Sequence, residues 1–279
     1  MKSSDWRIDA HQHFWHYDPI KDAWIDEIMS RIKQDFLPED LEPVLKLNDI
    51  DGCVAVQASQ TELETEFLIG LAQRHDIIKG VVGWVNLLAP DLDERLTYYS
   101  KDPYLKGIRH VAQGESDDFL SRKDVKEGIG KLGKYDLVYD ILIFERQLPA
   151  AIDLVKSCPD LPFVLDHIAK PLIKDQVISP WKENIKELAA FDNVMCKVSG
   201  MVTEADWKGW RREDFEPYLD VVFEAFGADR IMFGSDWPVC LLGGEYSEIK
   251  GILSTYTESF SSEEKRKIWG ANAVRFYKL

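Results

Sequence analysis

The sequence has 279 residues, of which 45% are apolar and 30% are charged, with 49 Asp and Glu residues against 34 Lys and Arg residues. That balance is typical of a globular protein and excludes disordered, collagen-like and membrane-embedded chains. Because nucleic acids and anionic membrane surfaces select basic proteins, the formal net charge of −15 also excludes both as partners of the whole chain. The N-terminal residues lack the apolar core of a signal peptide, which predicts a cytoplasmic protein.

Short apolar runs rich in Val and Ile recur along the chain, and each is followed by a stretch long enough for a helix. The eight runs cover residues 7–11, 52–57, 80–85, 105–110, 137–142, 162–166, 193–198 and 230–234. Near-continuous apolar strands separated by crossover segments indicate a parallel sheet that is buried on both faces. Eight such units in a chain of this length predict an α/β protein with a (β/α)₈ TIM-barrel fold.

Segments of helical period follow several of these runs. In residues 62–74, Leu63, Phe67 and Leu71 recur every four residues and predict a helix that buries this stripe. Further helices are predicted over residues 149–156, 214–226 and 262–277. No linker rich in Pro, Gly or Ser divides the chain, so we expect a single domain over residues 1–279.

Residues 14–47 break the even spacing of strands and helices and predict an inserted loop region after the first strand. The segment opens with aromatic residues, Phe14 and Trp15, and Trp24 follows them. Two interpretations remain open at this point: the aromatic side chains form a wall of a ligand cleft, or they cover one end of the barrel.

Polar side chains concentrate where the predicted strands end. In a parallel barrel the active site lies at the carboxyl ends of the strands, so these residues are the candidates for chemistry. They are His11, His13, Gln57, Asn86, Arg109, His110, Asp166, His167, Lys170, Lys197, Ser199, Asp236 and Trp237.

A metal site is predicted from four of these residues. His11 and His13 are two positions apart, and residues i and i+2 of a strand point the same way, so both imidazoles can face one ion. With His167 and Asp236 they give three histidines and a carboxylate, a set that suits a tetrahedral divalent ion or leaves room for a water molecule. The sequence therefore indicates a site for a metal ion or for the substrate at this end of the barrel.

Several motifs in this order resemble the amidohydrolase superfamily (amidohydrolase-related family 2), and within it the sugar-lactonase branch, whose members act on lactones such as L-fuconolactone and L-rhamnonolactone. The motifs are IDAHQHFW at 8–15, VQA at 56–58, TELE at 61–64, KGIRHV at 106–111, RQLP at 146–149, VLDHIAKP at 164–171, KVSG at 197–200 and FGSDWP at 233–238. They span essentially the whole chain, and together they are far more specific than any one of them alone.

The resemblance implies a hydrolase in which Asp236 deprotonates the attacking water while His11, His13 and His167 hold the metal or the substrate. Members with two metals supply a bridging Lys or Glu on a middle strand and a further histidine, whereas this sequence has Arg109 there and no histidine after the seventh run. A mononuclear site with zinc or manganese is therefore favoured. Members that work without metal, with the histidines as hydrogen-bond donors, leave a metal-independent reaction open.

The other strand-end residues receive roles from the needs of lactone hydrolysis. Arg109, His110 and Lys170 are candidates for stabilising the carbonyl oxygen, and with Asp236 and His167 they make up the expected catalytic and anion-binding groups. The residues expected to bind the ring hydroxyls or pack on the sugar are Gln57, Trp84, Asn86, Ser199, Trp15 and Trp237. A small-molecule sugar lactone is the expected partner, and a homo-oligomer remains open.

Two alternatives to the sugar lactonase are kept. One is a dicarboxylate lactone hydrolase or an aromatic-acid decarboxylase on the same scaffold, but such anionic substrates call for several strand-end arginines and Arg109 is the one found. The other is a non-catalytic sugar-acid-binding barrel. The presence of both the histidine pair and Asp236 argues against it.

Overall fold

Eight parallel strands form one sheet in the computed structural model, which describes residues 5–279. The strands are β1 Ile8–Gln12, β2 Gly52–Val56, β3 Ile78–Gly83, β4 Leu105–His110, β5 Val138–Ile141, β6 Phe163–Leu165, β7 Val194–Val198 and β8 Ile231–Phe233. They pair in sequence order, and a parallel bridge between Gln12 and Trp237 brings the two ends of the sheet together. The predicted (β/α)₈ barrel is confirmed, with each predicted strand within two residues of its observed bounds.

Helices connect the strands and cover the outside of the barrel. They are α1 Pro38–Leu47, α2 Glu62–Ala72, α3 Leu92–Tyr99, α4 Lys123–Gly130, α5 Leu148–Ser157, α6 Trp181–Ala189, α7 Glu216–Phe226, α8 Tyr246–Tyr256, α9 Ser262–Arg266 and α10 Asn272–Tyr277. A five-residue π-helical turn, Lys267–Ala271, joins α9 to α10. Among residues 5–279, no helix is long and apolar enough to cross a bilayer.

The predicted helices are present, and of the stripe predicted for α2, Leu71 is buried and Phe67 packs on the core, but Leu63 was assigned wrongly. Leu63 is 76% exposed, and the helix buries Leu68 and Ala72 beside Leu71. The reason lies in the first turn, where the side chain of Glu64 turns inward and is almost completely buried. Because successive helix residues are rotated by about 100°, an inward Glu64 places Leu63 on the solvent side.

The segment after β1 divides into two parts. Its last ten residues form α1, the helix that connects β1 to β2, so the inserted loop itself ends before Pro38. Within the loop, Glu27–Ile32 form a short 3₁₀ turn. Trp15 is buried, and the residue pair Trp15 and Phe36 forms a bridge that ties the start of the loop to its end.

The barrel interior consists of two layers with different chemistry. The lower layer is an apolar cluster to which β5, β6 and β7 contribute Val138, Val164 and Met195, with Tyr277 of α10 packed against them. Two positions further along the same strands stand Asp140, Asp166 and Lys197, all fully buried. Because side chains alternate across a strand, these residues face the same interior and form a charged layer directly below the strand ends.

Candidate active site

Three histidines surround the carboxylate of Asp236 at the carboxyl end of the barrel. Asp236 Oδ1 lies 3.3 Å from His13 Nε2 and 3.9 Å from the Nε2 atoms of His11 and His167. An irregularity in the pairing of β1 with β2, between Asp9 and Gln12, accompanies the approach of the two β1 histidines. All four groups are buried, so the structure brings together the four residues that the sequence assigned to a metal or a substrate.

Backbone strain fixes two of these groups. His167 has φ +53° and Asp236 has φ +59°, a left-handed conformation that is uncommon for residues other than glycine. Residues 168–170 continue in the same conformation. Beside them, Gly200 has φ +61°, and a Cβ atom at this position would lie 2.5 Å from His167 Nδ1. The glycine of the KVSG motif is thus required for His167 to reach its position.

His11, His167 and Asp236 fit a divalent metal ion. Each offers one ligand atom, and the three atoms lie within 4.8 Å of one another. Burial lowers the pKa of both His11 and His167 well below the ordinary value, which keeps the imidazoles neutral, the state in which histidine binds a metal. The Nδ1 atom of His167 is hydrogen-bonded to Ser199 Oγ at 2.8 Å, which leaves Nε2 facing Asp236.

His13 adds a second argument for a cation here. Its Nδ1 donates to the carbonyl of Val56 at 2.8 Å, because a carbonyl oxygen only accepts. A neutral His13 would then present the Nε2 lone pair to the Asp236 carboxylate, two acceptors 3.3 Å apart. A proton or a cation between them removes that repulsion. The Arg109 guanidinium would compete with a metal ion for His11, because its Nη1 lies 3.2 Å from His11 Nε2.

The charged layer below holds His11 and Arg109. Asp166 accepts from Arg109 Nη1 at 3.2 Å, and its other oxygen lies 3.0 Å from Lys197 Nζ. Lys197 in turn donates to Asp140 at 2.5 Å and lies 3.3 Å from His11 Nδ1. Burial alone raises the pKa of Asp166, but the charges of Lys197 and Arg109 outweigh it, and the pKa lies below its ordinary value.

A cavity of about 340 Å³ opens above this centre. It is lined by His13, Trp15, Lys21, Trp24, Ala58, Ser59, Gln60, Arg109, Val111, Gln113, Leu142, His167, Lys170, Asp236 and Val239. The lining holds the cations Lys21, Arg109 and Lys170 against the single carboxylate of Asp236. The local charge is therefore opposite in sign to that of the whole chain, and the cavity suits an oxygen-rich ligand.

Several residues predicted to bind substrate are not among those that line the cavity, and each has another partner. Trp84 Nε1 donates to His110 Nδ1 at 3.3 Å, and His110 Nε2 is paired with Glu115 at 2.9 Å. Gln57 is buried and its amide donates to the carbonyl of Arg109. The rest are Asn86, which caps the amide of Leu88, Ser199, which holds His167, and Trp237, which packs on Phe14 and Phe36.

The structure adds residues in and next to the cavity that the sequence did not single out. Lys21 comes from the inserted loop, whereas Gln60 and Gln113 come from the loops after β2 and β4. Glu204 follows β7, and its carboxylate lies 3.8 Å from Lys170 Nζ. None of these residues ends a strand, so the rule that located the histidines gives no signal for them. The TELE motif at 61–64 is adjacent to Gln60 and is the sequence signal that could have indicated this loop.

Comparison with known proteins gives one family. Residues 8–279 match the family described as amidohydrolase. A protein of Burkholderia multivorans named L-fucono-1,5-lactonase is 41% identical over 98% of this chain and 96% of its own length. A second protein named L-fucono-1,5-lactonase, from Burkholderia ambifaria, is 34% identical over 98% of this chain and 96% of its own length. The crystal structure of a Burkholderia multivorans amidohydrolase with bound zinc is 41% identical, with a TM-score of 0.94 over 98% of this chain and 99% of that chain.

Proposed function

The chain belongs to the amidohydrolase family, and from that premise we propose that it is a hydrolase that opens a sugar lactone of the L-fuconolactone type to the aldonic acid. Relatives named for this activity match almost the full length of the chain. The observation that carries the proposal is the position of Asp236, a carboxylate among three histidines at the base of a cavity that also contains Arg109 and Lys170.

A lactone is a cyclic ester, so its hydrolysis requires a base for the water and stabilisation of the oxyanion at the carbonyl carbon. Asp236 is the proposed base. Burial taken alone would raise its pKa, but the neighbouring His167, His13 and Lys170 lower it below the ordinary value. The carboxylate is therefore ionised at neutral pH and able to accept a proton.

Arg109 and Lys170 are the proposed stabilisers of the oxyanion. Both line the cavity, and both are positioned by contacts with other residues. Arg109 is fixed by Asp166 and by the backbone carbonyl of Gln57, which its Nη2 contacts. Lys170 lies 3.8 Å from Glu204 and over the ring of Phe144. Donors that are already oriented need no rearrangement when charge develops on the carbonyl oxygen.

His11, His167 and Asp236 are the proposed ligands of one divalent ion, zinc or manganese, with His13 next to them. The chemistry that such an ion supplies is Lewis-acid polarisation of the water or of the carbonyl. The protein residues keep the imidazoles neutral and orient them through Ser199 and the charged layer. Chelated protein is expected to lose turnover and to regain it with zinc or manganese; full activity in metal-free protein would favour histidines acting as hydrogen-bond donors.

The aromatic residues of the inserted loop are the proposed platform for the sugar. Trp15 is fixed by a hydrogen bond to the carbonyl of Gln34, and Trp24 packs edge-on against it. Trp24 is 45% exposed and lines the cavity, so part of its ring is open to the apolar C–H surface of a sugar ring. Of the two interpretations of the loop, these positions favour a wall of the cleft.

The test is a panel of lactones in weakly buffered solution with a pH indicator, because each ring opening releases a proton. Six-carbon aldonolactones related to L-fuconolactone are expected to be hydrolysed, and dicarboxylate lactones are not. Turnover restricted to dicarboxylate lactones, or carbon dioxide release from an aromatic acid, would contradict the proposal. Binding of the sugar acid without turnover of any lactone would indicate the non-catalytic barrel.

A further inference from the structure

A lysine of the inserted loop meets a buried glutamate of α2 at the rim of the cavity. Lys21 Nζ donates to Glu64 Oε2 at 2.8 Å, and the Glu64 side chain is only 1% exposed. Removing a carboxylate from water costs free energy unless it is paired and hydrogen-bonded. Arg31 of the same loop also pairs with Glu245 at the start of α8, but both of those side chains are exposed, whereas the Lys21–Glu64 pair places a buried carboxylate beside the cavity.

The carboxylate of Glu64 is held in place by hydrogen bonds at both oxygens. Its Oε1 atom accepts from the backbone amides of Ala58 and Ser59 at 3.1 and 3.4 Å, and both residues line the cavity. The hydroxyl of Thr61 caps the amide of Glu64 at 3.2 Å, which fixes the first turn of α2. The carboxylate thus joins the loop after β2, the start of α2 and Lys21 in one unit.

The backbone of Lys21 is also held. Asp18 Oδ1 accepts from the amides of Ile20 and Lys21 at 2.7 and 3.0 Å, and the buried Asp22 accepts from the amide of Asp18 at 2.9 Å. The ammonium group has three donors, of which Glu64 uses one. The side chain is 37% exposed and lines the cavity, so its remaining donors are available to a ligand.

Exposure orders the cavity from floor to rim. The side chains of Arg109 and Asp236 are 3% and 6% exposed, whereas Lys21 and Trp24 are the most open of the charged and aromatic residues named at this site. A sugar lactone has one carbonyl group and several hydroxyl groups. If the carbonyl meets Asp236 at the floor, the hydroxyl groups at the other end of the molecule reach the rim.

We propose that Lys21 is a specificity-determining residue that donates hydrogen bonds to substrate hydroxyl groups remote from the lactone carbonyl, and that Glu64 is the positioning residue that holds it there. The inference rests on the proposed lactone hydrolysis and names the part of the substrate that this rim recognises. It also gives a role to the buried carboxylate of Glu64 at the edge of the cavity.

The test compares two substrates in the variant Lys21→Met. For a six-carbon aldonolactone, KM is expected to rise about tenfold or more while kcat stays within about threefold, because a hydrogen bond from a charged donor is lost in binding. For δ-valerolactone, which has no hydroxyl groups, both constants are expected to be unchanged. Lys21→Arg retains the charge and the donors, so it should bind the aldonolactone more tightly than Lys21→Met.

The matched control is Lys33→Met. Lys33 belongs to the same loop and pairs with Glu27, but it does not line the cavity, so neither substrate should be affected. Glu64→Gln should raise KM for the aldonolactone less than Lys21→Met does, and the double variant should be no worse than Lys21→Met.

Equal losses on both substrates in Lys21→Met would show that the ion pair only secures the loop, and unchanged constants on both would show that Lys21 binds no hydroxyl group. Either result overturns the inference while lactone hydrolysis stands. A wild-type protein that opens no lactone at all would instead overturn the proposed function.

Discussion

The two layers of the barrel interior are built on the same strands but are held by different forces. In the lower layer, Val138, Val164, Met195 and Tyr277 belong to one buried apolar cluster, and their burial contributes hydrophobic free energy in proportion to area. In the upper layer, two residues further along, the side chains are Asp140, Asp166 and Lys197. The backbone is the same, so the difference between the layers belongs to the side chains.

The upper layer contains two carboxylates and, with Arg109, two cations, and its formal charge is zero. A buried set of this kind gains little over apolar residues of the same volume, because the desolvation of each ion offsets the attraction. What the upper layer provides is orientation: Lys197 and Arg109 contact the two nitrogen atoms of His11. The lower layer therefore serves stability, and the upper layer gives up stability to hold the site.

The largest effect is expected at the top of this arrangement, in Asp236→Asn. Loss of the base should lower kcat on the order of 10²–10⁴-fold without lowering the melting temperature, since the amide keeps the shape of the side chain. Initial rates and a thermal melt measure the two quantities. Asp136→Asn is the control: Asp136 has the same left-handed backbone but lies at the other end of the barrel, paired with Lys278. Retained turnover in Asp236→Asn would remove Asp236 from the role of base.

The next effect is on stability and tests the upper layer directly. Lys197→Met leaves Asp140 and Asp166 facing each other without their shared cation, and the free energy of unfolding should fall by about 3–5 kcal/mol. Met195→Leu, a change of similar shape in the lower layer, should cost less than about 1.5 kcal/mol. Denaturant unfolding measures both. Equal losses would mean that the two layers are stabilised in the same way.

The barrel could be predicted from the sequence because its strands are apolar on both faces and evenly spaced. Phe163–Leu165 is an example: all three residues are buried, as a parallel strand under helices requires. The exposure of Leu63 in α2 could not be predicted, because spacing alone places Leu63 with Leu71 and takes no account of an inward-facing Glu64. A polar residue that is buried by its hydrogen bonds reverses a prediction based on hydrophobicity.

The site could be predicted where a residue both ends a strand and faces the barrel axis. His11, His167, Arg109 and Asp236 meet both conditions. Trp84 and His110 meet only the first: they bond to each other, and neither lines the cavity. Lys21 and Gln60 meet neither, because their positions depend on the path of a loop. That path is set by capping hydrogen bonds of Asp18 and Glu64 that become visible only in three dimensions.

Val164→Ala probes the lower layer by itself. Removing two methyl groups from a fully buried position should lower the free energy of unfolding by about 1–3 kcal/mol and leave kcat and KM unchanged. Unfolding and initial rates are measured on the same preparation. Val177→Ala, at a position that is 41% exposed, is the control and should change stability by less than about 0.5 kcal/mol. A large fall in kcat in Val164→Ala would show that the layers are coupled and that the lower one also sets the site.

The smallest effect is expected at Glu204, beside Lys170, and its size depends on pH. Burial raises the pKa of Glu204 above its ordinary value, although Lys170 and Thr203 oppose the shift. The folded protein therefore holds the Glu204 proton more tightly than the unfolded chain, so this residue lowers stability as pH rises from about 4.5 toward the raised pKa. Glu204→Gln does not titrate, and its melting temperature relative to wild type should increase between pH 4 and pH 7, by no more than roughly 2–4 °C.

Glu263→Gln is the control of opposite sign for this last measurement. Glu263 is exposed, and its hydrogen bond from Arg266 lowers its pKa, so wild-type Glu263 adds stability as pH rises and the variant loses it. Melting curves of the three proteins across the same pH range should therefore diverge in opposite directions. Parallel curves for Glu204→Gln and wild type would show that burying the Glu204 carboxylate beside Lys170 does not lower the stability of the fold. The loss of stability that accompanies orientation of the site would then be confined to Asp140, Asp166, Lys197 and Arg109.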